Sequence, residues 1–288
     1  MGRALKSFAE EKYMMNLREY DFHYRHLEKL VTNMFTWENL PDTISSRFIE
    51  DTLFHNGMCV FYRNNKKILT VSKAVSNYLN NQDEPSEFTC YSNSTLENAS
   101  ETRSISTAVP IFNNTLMQGS CLDVSYFASK LTNIDRAIDV NLENIKQPFL
   151  IIAPEGQEIS ARKLMQKRSN GEPFILAYED SIKNIEIKPF NFDIKNYTKE
   201  LAELKQNTMS EALTYFGINN VNISKRERLT SGETEQNNEQ IGFNNASMYN
   251  MRKLAEEKIN DMFKCNIKVV RNIEVCREVE RYVHGTDK

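Results

Sequence analysis

Tyr13, Leu17, Tyr20, Tyr24, Leu27, Val31 and Met34 follow one another at steps of 4, 3, 4, 3, 4 and 3. That spacing draws a single apolar stripe down a helix running over residues 8 to 36, and such a stripe must bury against something. Three more helices are expected on the same ground. One starts at Ser120, whose hydroxyl can cap the amide near Asp123, and carries Phe127, Leu131, Ile134, Ile138, Leu142 and Ile145 up to Pro148. The next runs from about Asp193 through Ile194, Tyr197, Leu201, Leu204 and Thr208 to Tyr215, with Gly217 as its stop. The last begins near Asn245 and passes Met251, Leu254, Ile259 and Met262 to Phe263.

Little in the composition would interrupt these helices. Glycine and proline number 9 and 7 in 288 residues, 16 together, against roughly 12% in an average chain. Collagen-like, linker-dominated and propeller-like chains are thereby disfavoured, and few glycines remain to cradle a phosphate. With 40% apolar and 26% charged residues a packed core is feasible at this length.

Extended runs lie between the helices. Met58 to Tyr62 and Ile68 to Val71 flank Asn64-Asn65 and predict a hairpin, and further strands are expected at Phe149 to Ala153, Phe174 to Tyr178, Ile185 to Lys188 and Ile267 to Arg271. With a short helix near Ser160 to Lys167, the run from Pro148 to Pro189 forms a small α/β insert between two long helices. Residues 219 to 245 lack periodicity, begin basic at Lys225, Arg226 and Arg228 and turn acidic at Glu233, Glu235 and Glu239. They are expected to form a loop, either a solvated connector or a working segment.

Chemical motifs are scarce. Phosphate loops, dinucleotide turns, nucleophile elbows and zinc-type Cys/His clusters are missing, which disfavours an ATP-driven motor. His23 and His26 share a helix face without an evident third ligand, and Asp42, Glu50, Asp51, Asp83 and Glu84 have the spacing of ordinary surface acids. No metal, cofactor or catalytic residue is expected. Five cysteines without a CxxC pair fit reduced thiols, and no apolar run reaches the roughly 18 residues of a membrane span. Met1 to Lys12 alternates charged and apolar residues instead of building a signal peptide.

Phe35-Thr36-Trp37-Glu38-Asn39-Leu40-Pro41 holds the only tryptophan and resembles the aromatic-x-Trp-Glu-Asn-Leu-Pro segment of portal proteins (head-tail connectors, upper collar proteins) of small podoviruses with protein-primed linear genomes. Similar elements follow in the same order. They are Gly171-Glu172-Pro173 before Ala177-Tyr178-Glu179, then Phe216-Gly217-Ile218-Asn219 with Asn222 and the basic Lys225-Arg226-Glu227-Arg228. Asn238-Glu239-Gln240-Ile241, Glu257-Lys258-Ile259-Asn260 and Asn266-Ile267-Lys268-Val269 complete the series, and the likeness is weakest between Asn80 and Gln118.

The resemblance implies an α+β, mainly α, portal fold: a ring, typically of twelve copies, around a channel for double-stranded DNA at one capsid vertex. It would assign residues 1–119 and 246–288 to the wing, 120–147 and 191–218 to long tilted stem helices, 148–190 to a clip and 219–245 to a channel loop. Implied partners are sister subunits, duplex DNA, the major capsid protein, a separate packaging ATPase and the tail or lower collar protein; the location is the virion, after assembly in the host cytoplasm. Lys225, Arg226 and Arg228 match the family's basic segment and are the expected DNA contacts, whereas Lys195, Lys199 and Lys205 only neighbour the family's stem cations. Relatives carry a strongly basic N-terminal arm for a packaging RNA, but Arg3, Lys6 and Lys12 here are offset by Glu10 and Glu11, which argues against an RNA partner. The rival readings are a phage nucleic-acid enzyme such as a metal-dependent nuclease, and a scaffold or tail adaptor without a DNA channel.

Overall fold

The computed structural model describes residues 2–91, 100–145, 149–152, 186–189, 196–219 and 231–272. The chain divides into two compact units, Met1–Asn133 with Lys205–Lys288, and Ile134–Leu204.

In the larger unit the first helix, α1 (Gly2–Thr32), starts before and ends four residues short of the expected span of 8 to 36. Met34 stays buried, but Phe35–Glu38 leaves the helix to form strand β1, because its partner is a strand from the far end of the chain. Phe35 pairs with Arg271 and Trp37 with Val269, antiparallel. Asn39 follows at φ 57, a left-handed conformation that asparagine tolerates, and turns the chain away from the strand.

A helix absent from the sequence expectation comes next, α2 (Ser46–Asn56), burying Ile49, Leu53 and Phe54. Gly57 stops it at φ 77, its amide donating to the Leu53 carbonyl over 2.9 Å. A Cβ there would lie 2.5 Å from the Met117 carbonyl oxygen, so glycine is needed for both the turn and the close approach.

Five antiparallel strands follow: β2 (Met58–Arg63), β3 (Leu69–Leu79), β4 (Pro85–Tyr91), β5 (Ser100–Ser104) and β6 (Ala108–Phe112), in the spatial order β5-β4-β3-β2-β6. The hairpin expected around Asn64 is present: Asn64 accepts from the amides of Lys67 and Ile68, with Lys67 at φ 62. Strand β2 is buried on both faces with period two. Cys59 and Phe61 enter the main core, while Met58, Val60 and Tyr62 join Phe88, Cys90 and Ala108 in a second, smaller core.

The main core closes with the start of α3 (Cys121–Ile145), the end of α4 (Thr198–Tyr215) and α5 (Ser231–Phe263). Helix α4 spans Thr198–Tyr215, later than the expected start at about Asp193, and Asn196 accepts from its first amide. Helix α5 spans Ser231–Phe263 and so begins well before Asn245. The expected loop of 219–245 is therefore wrong from Ser231 onward: glutamate and glutamine hold a helix by propensity where no apolar stripe announces one. Strand β9 (Lys268–Arg271) ends the described chain against β1.

In the smaller unit, β7 (Phe149–Ile152) and β8 (Glu186–Pro189) lie where strands were expected at Phe149 to Ala153 and Ile185 to Lys188, and they pair antiparallel with Phe149 opposite Pro189. Asn141 accepts from the amide and hydroxyl of the Tyr197–Thr198 pair at the head of α4. The expected strand at Phe174 to Tyr178 and helix near Ser160 to Lys167 lie outside the described residues.

Candidate functional site

Lys225, Arg226 and Arg228, and Lys195, lie outside the described residues; the described chain on either side of the basic segment is the end of α4 and helix α5. Helix α4 ends in a Schellman turn: Gly217 donates to Thr214 over 3.0 Å and Ile218 to Leu213 over 2.8 Å, with Gly217 at φ 73. Helix α5 then presses on this turn. Asn244 donates to the Thr214 carbonyl over 2.8 Å and Asn245 to that of Gly217 over 3.3 Å. A Cβ on Gly217 would stand 2.5 Å from the Asn245 amide nitrogen. The turn that ends α4 is thus held to the middle of α5 by hydrogen bonds and backbone contact. Lys199 is exposed on α4 and Lys205 half-buried.

Helix α5 is itself anchored by a buried polar knot. The Arg252 guanidinium grips the Glu50 carboxylate, Nη2 to Oε2 at 2.7 Å and Nε to Oε1 at 3.0 Å, with both side chains 3% exposed. Trp37 Nε1 donates to Glu50 Oε1 over 2.8 Å. The remaining guanidinium protons go to the Asn113 and Met248 carbonyls and to Asn113 Oδ1, and the Phe35 ring stacks 4.4 Å beneath. Asn113 in turn donates to the hydroxyl of Ser120 over 2.9 Å. One network therefore joins β1, α2, the end of β6 and α5, and places the entry to α3.

Glu50 is accordingly committed to structure and unavailable to a nuclease centre. Asp42, Asp83 and Glu84 are exposed, and Asp51 faces His55 and Glu28. His23 is buried, while His26 lies parallel to the Phe22 ring at 6.4 Å.

Where α3 meets α4, Phe127 packs against Tyr215 and Phe216. Burial pushes the Asp123 carboxyl up while its hydrogen bond with Tyr215 opposes the shift, and burial followed by Asp123 raises the Tyr215 phenol. Lys130 sits 4.9 Å over the Tyr126 ring and 3.6 Å from Glu211. Yet Leu122 is 79% exposed and Tyr126, one turn on, 57%. An apolar ridge on α3 thus stands uncovered beside a well-packed aromatic cluster.

This fold is that of a phage portal. It matches the chain described as "Portal and tail of native bacteriophage P68" with a TM-score of 0.52 at 13% identity, covering 98% of this chain and 97% of that one. Weaker likenesses extend to an HK97 family phage portal protein from Corynebacterium diphtheriae (TM-score 0.42, 9% identity, 88% and 93% covered) and to the virion of a native gene transfer agent particle (0.47, 11%, 94% and 85%). The sequence matches the family described as Phage Connector (GP10) over residues 4–276, and the chain belongs to that family. It is a structural component of the virion at the portal vertex. No helix among the described residues is long and apolar enough to cross a membrane.

Proposed function

We propose that this connector closes a homo-oligomeric ring, typically of twelve copies, through whose channel duplex DNA is packaged and ejected. The ring docks the capsid shell and a separate packaging ATPase, and later the tail or lower collar protein. Residues 120–147 and 191–218 form the stem, 148–190 the clip, 219–245 the channel-lining segment, and 1–119 with 246–288 the wing. The supporting observation is the uncovered ridge Leu122–Tyr126, which a head-to-tail neighbour of the same chain would bury.

Charge supports the same reading. Each chain carries a formal −3, so twelve carry 12 × (−3) = −36, and a mostly acidic assembly releases phosphate instead of gaining counterion-release energy at every contact. Lys225, Arg226 and Arg228 would supply one sparse ring of cations making brief, sequence-independent backbone contacts. Glu50 locked to Arg252 disfavours the nuclease alternative.

The ring should elute near 12 × 33.5 kDa, about 400 kDa, and appear annular by negative-stain imaging. A monomer at every concentration would overturn the reading. In the assembled ring, replacing Lys225, Arg226 and Arg228 by alanine should flatten the salt dependence of duplex binding while leaving ring mass unchanged. An unaltered salt slope removes the loop's DNA role alone.

A further inference from the structure

Strand β3 outruns the sheet that holds it. Its residues 69–73 pair with β2, but 74–79 pair with β4 alone, and β5 joins β4 only as far as Glu87. The far end is therefore a two-stranded arm, a structure only marginally stable in water by itself. It nevertheless leaves Tyr78 66% and Leu79 57% exposed. Its tip is closed by Asn80, whose Oδ1 accepts from the amides of Gln82 over 2.8 Å and Glu84 over 3.0 Å.

The two ends of β3 carry opposite charge. Residues 57–82 contain Arg63, Lys66, Lys67 and Lys73 and no acid, whereas 83–91 contain Asp83, Glu84 and Glu87 and no base. Arg63, Lys66 and Lys67 lie exposed at the β2–β3 turn beside Ile68, itself 44% exposed. Arg103 and Glu101, which also reach that turn through Asn65, pair with each other at 2.6 Å and leave its net charge positive. Asp83 and Glu84 lie exposed at the arm's tip.

Within one chain these ends cannot answer each other. The ten steps from Leu69 to Leu79 span about 33 Å of strand, roughly three Debye lengths or more at ordinary ionic strength. A second copy, by contrast, offers each end its complement. A head-to-tail contact would set the acidic, aromatic tip of one copy against the basic turn of the next, using both ends of every β3 and repeating around a closed ring. A different protein would satisfy one end only.

We infer that the β3–β4 arm docks on the β2–β3 turn of the adjacent copy, with Asp83 and Glu84 facing Arg63, Lys66 and Lys67 while Tyr78 and Leu79 are covered. This names a second contact for the ring proposed above and rests on that reading. Charge there sets register and partner, and the covered side chains supply burial.

The test is a charge swap in the full-length protein, read as the subunit concentration at half-assembly by light scattering. The tip is reversed by Asp83→Asn with Glu84→Lys, asparagine being suited to the φ of 58 at that position, and the turn by Arg63→Glu with Lys67→Glu. At low salt each reversal should raise the half-assembly concentration at least tenfold, and 1 M salt should shrink the difference. All four substitutions in one chain should return it to within threefold of the wild type, a rescue that damaged folding could not produce. Single-end reversals that assemble like the wild type, or a fourfold variant no better than either, overturn the inference while leaving wild-type rings and the ring reading intact. A wild type that stays monomeric overturns both.

Discussion

The knot beneath the sheet and the ridge on α3 are opposite answers to the same problem of burial. Around Arg252 the guanidinium donates to Glu50, Asn113 and Met248, a ring lies beneath it, and both charges are sealed from water. At Leu122 and Tyr126 apolar surface is left in water although Phe127, one residue further on, is buried. The first region is finished within one chain and should respond to mutation as a folding unit. The second is unfinished, and mutation there should alter what the chain meets while leaving how it folds.

The sharpest way to break that distinction is Arg252→Met. It strands the Glu50 carboxylate in the core, and loss of one partner of a buried pair costs about 3–5 kcal/mol. Denaturant unfolding should show that loss, and Glu50→Leu combined with Arg252→Met should restore most of it. A single variant as stable as the wild type would mean the knot is not sealed. Gly57→Ala comes next: at φ 77, with the Met117 carbonyl 2.5 Å from the new Cβ, about 1–3 kcal/mol should be lost. A neutral result would show that the 117–119 segment can yield.

Leu122→Asp with Tyr126→Asp tests the other side. Both positions lie in the first turns of α3, where negative charge complements the helix dipole, so subunit stability should move by no more than about 0.5 kcal/mol. The measured mass should nevertheless fall from the ring toward the single chain. Intact rings would show that α3 buries nothing between subunits, and a destabilised subunit would show that the ridge belongs to the fold.

Legibility in the sequence followed the same division. The stripes that end in the core, Leu27 to Met34 and Phe127 to Leu131, were readable because burial enforces a period. Helix α2 was missed: eleven residues give three apolar contacts, too short a record to stand out, although Ser45 and Gly57 do bracket it. Strands β4 and β5 were missed because one face of β4 and most of β5 are polar, and β6 because its short apolar run Ala108–Phe112 carries a proline at its centre. Only Phe88 and Cys90 keep the alternation. Helix α5 was cut short at Asn245 because the 14 residues before it, about four turns, carry no apolar stripe. The knot left no sequence signal, for Glu50 and Arg252 stand 202 residues apart and are neighbours only in the folded chain.

The smallest effect concerns Tyr24, which borders the finished core from α1 and packs edge-on against Phe54 at 6.4 Å. Burial, and after it the neighbouring Glu28, pushes its phenol up to about 12. The folded protein therefore holds this proton more tightly than the unfolded chain, where a tyrosine titrates near 10. The stability it contributes is complete below pH 10 and is lost as pH rises through about 12. Ultraviolet titration of phenolate should show a late tyrosine that disappears in Tyr24→Phe, and Glu28→Gln should bring it earlier. Stability of Tyr24→Phe should then decline less between pH 10 and 12 than that of the wild type. Equal declines would place the ring in water, and the boundary of the finished core would have to be drawn below Tyr24, at Leu27.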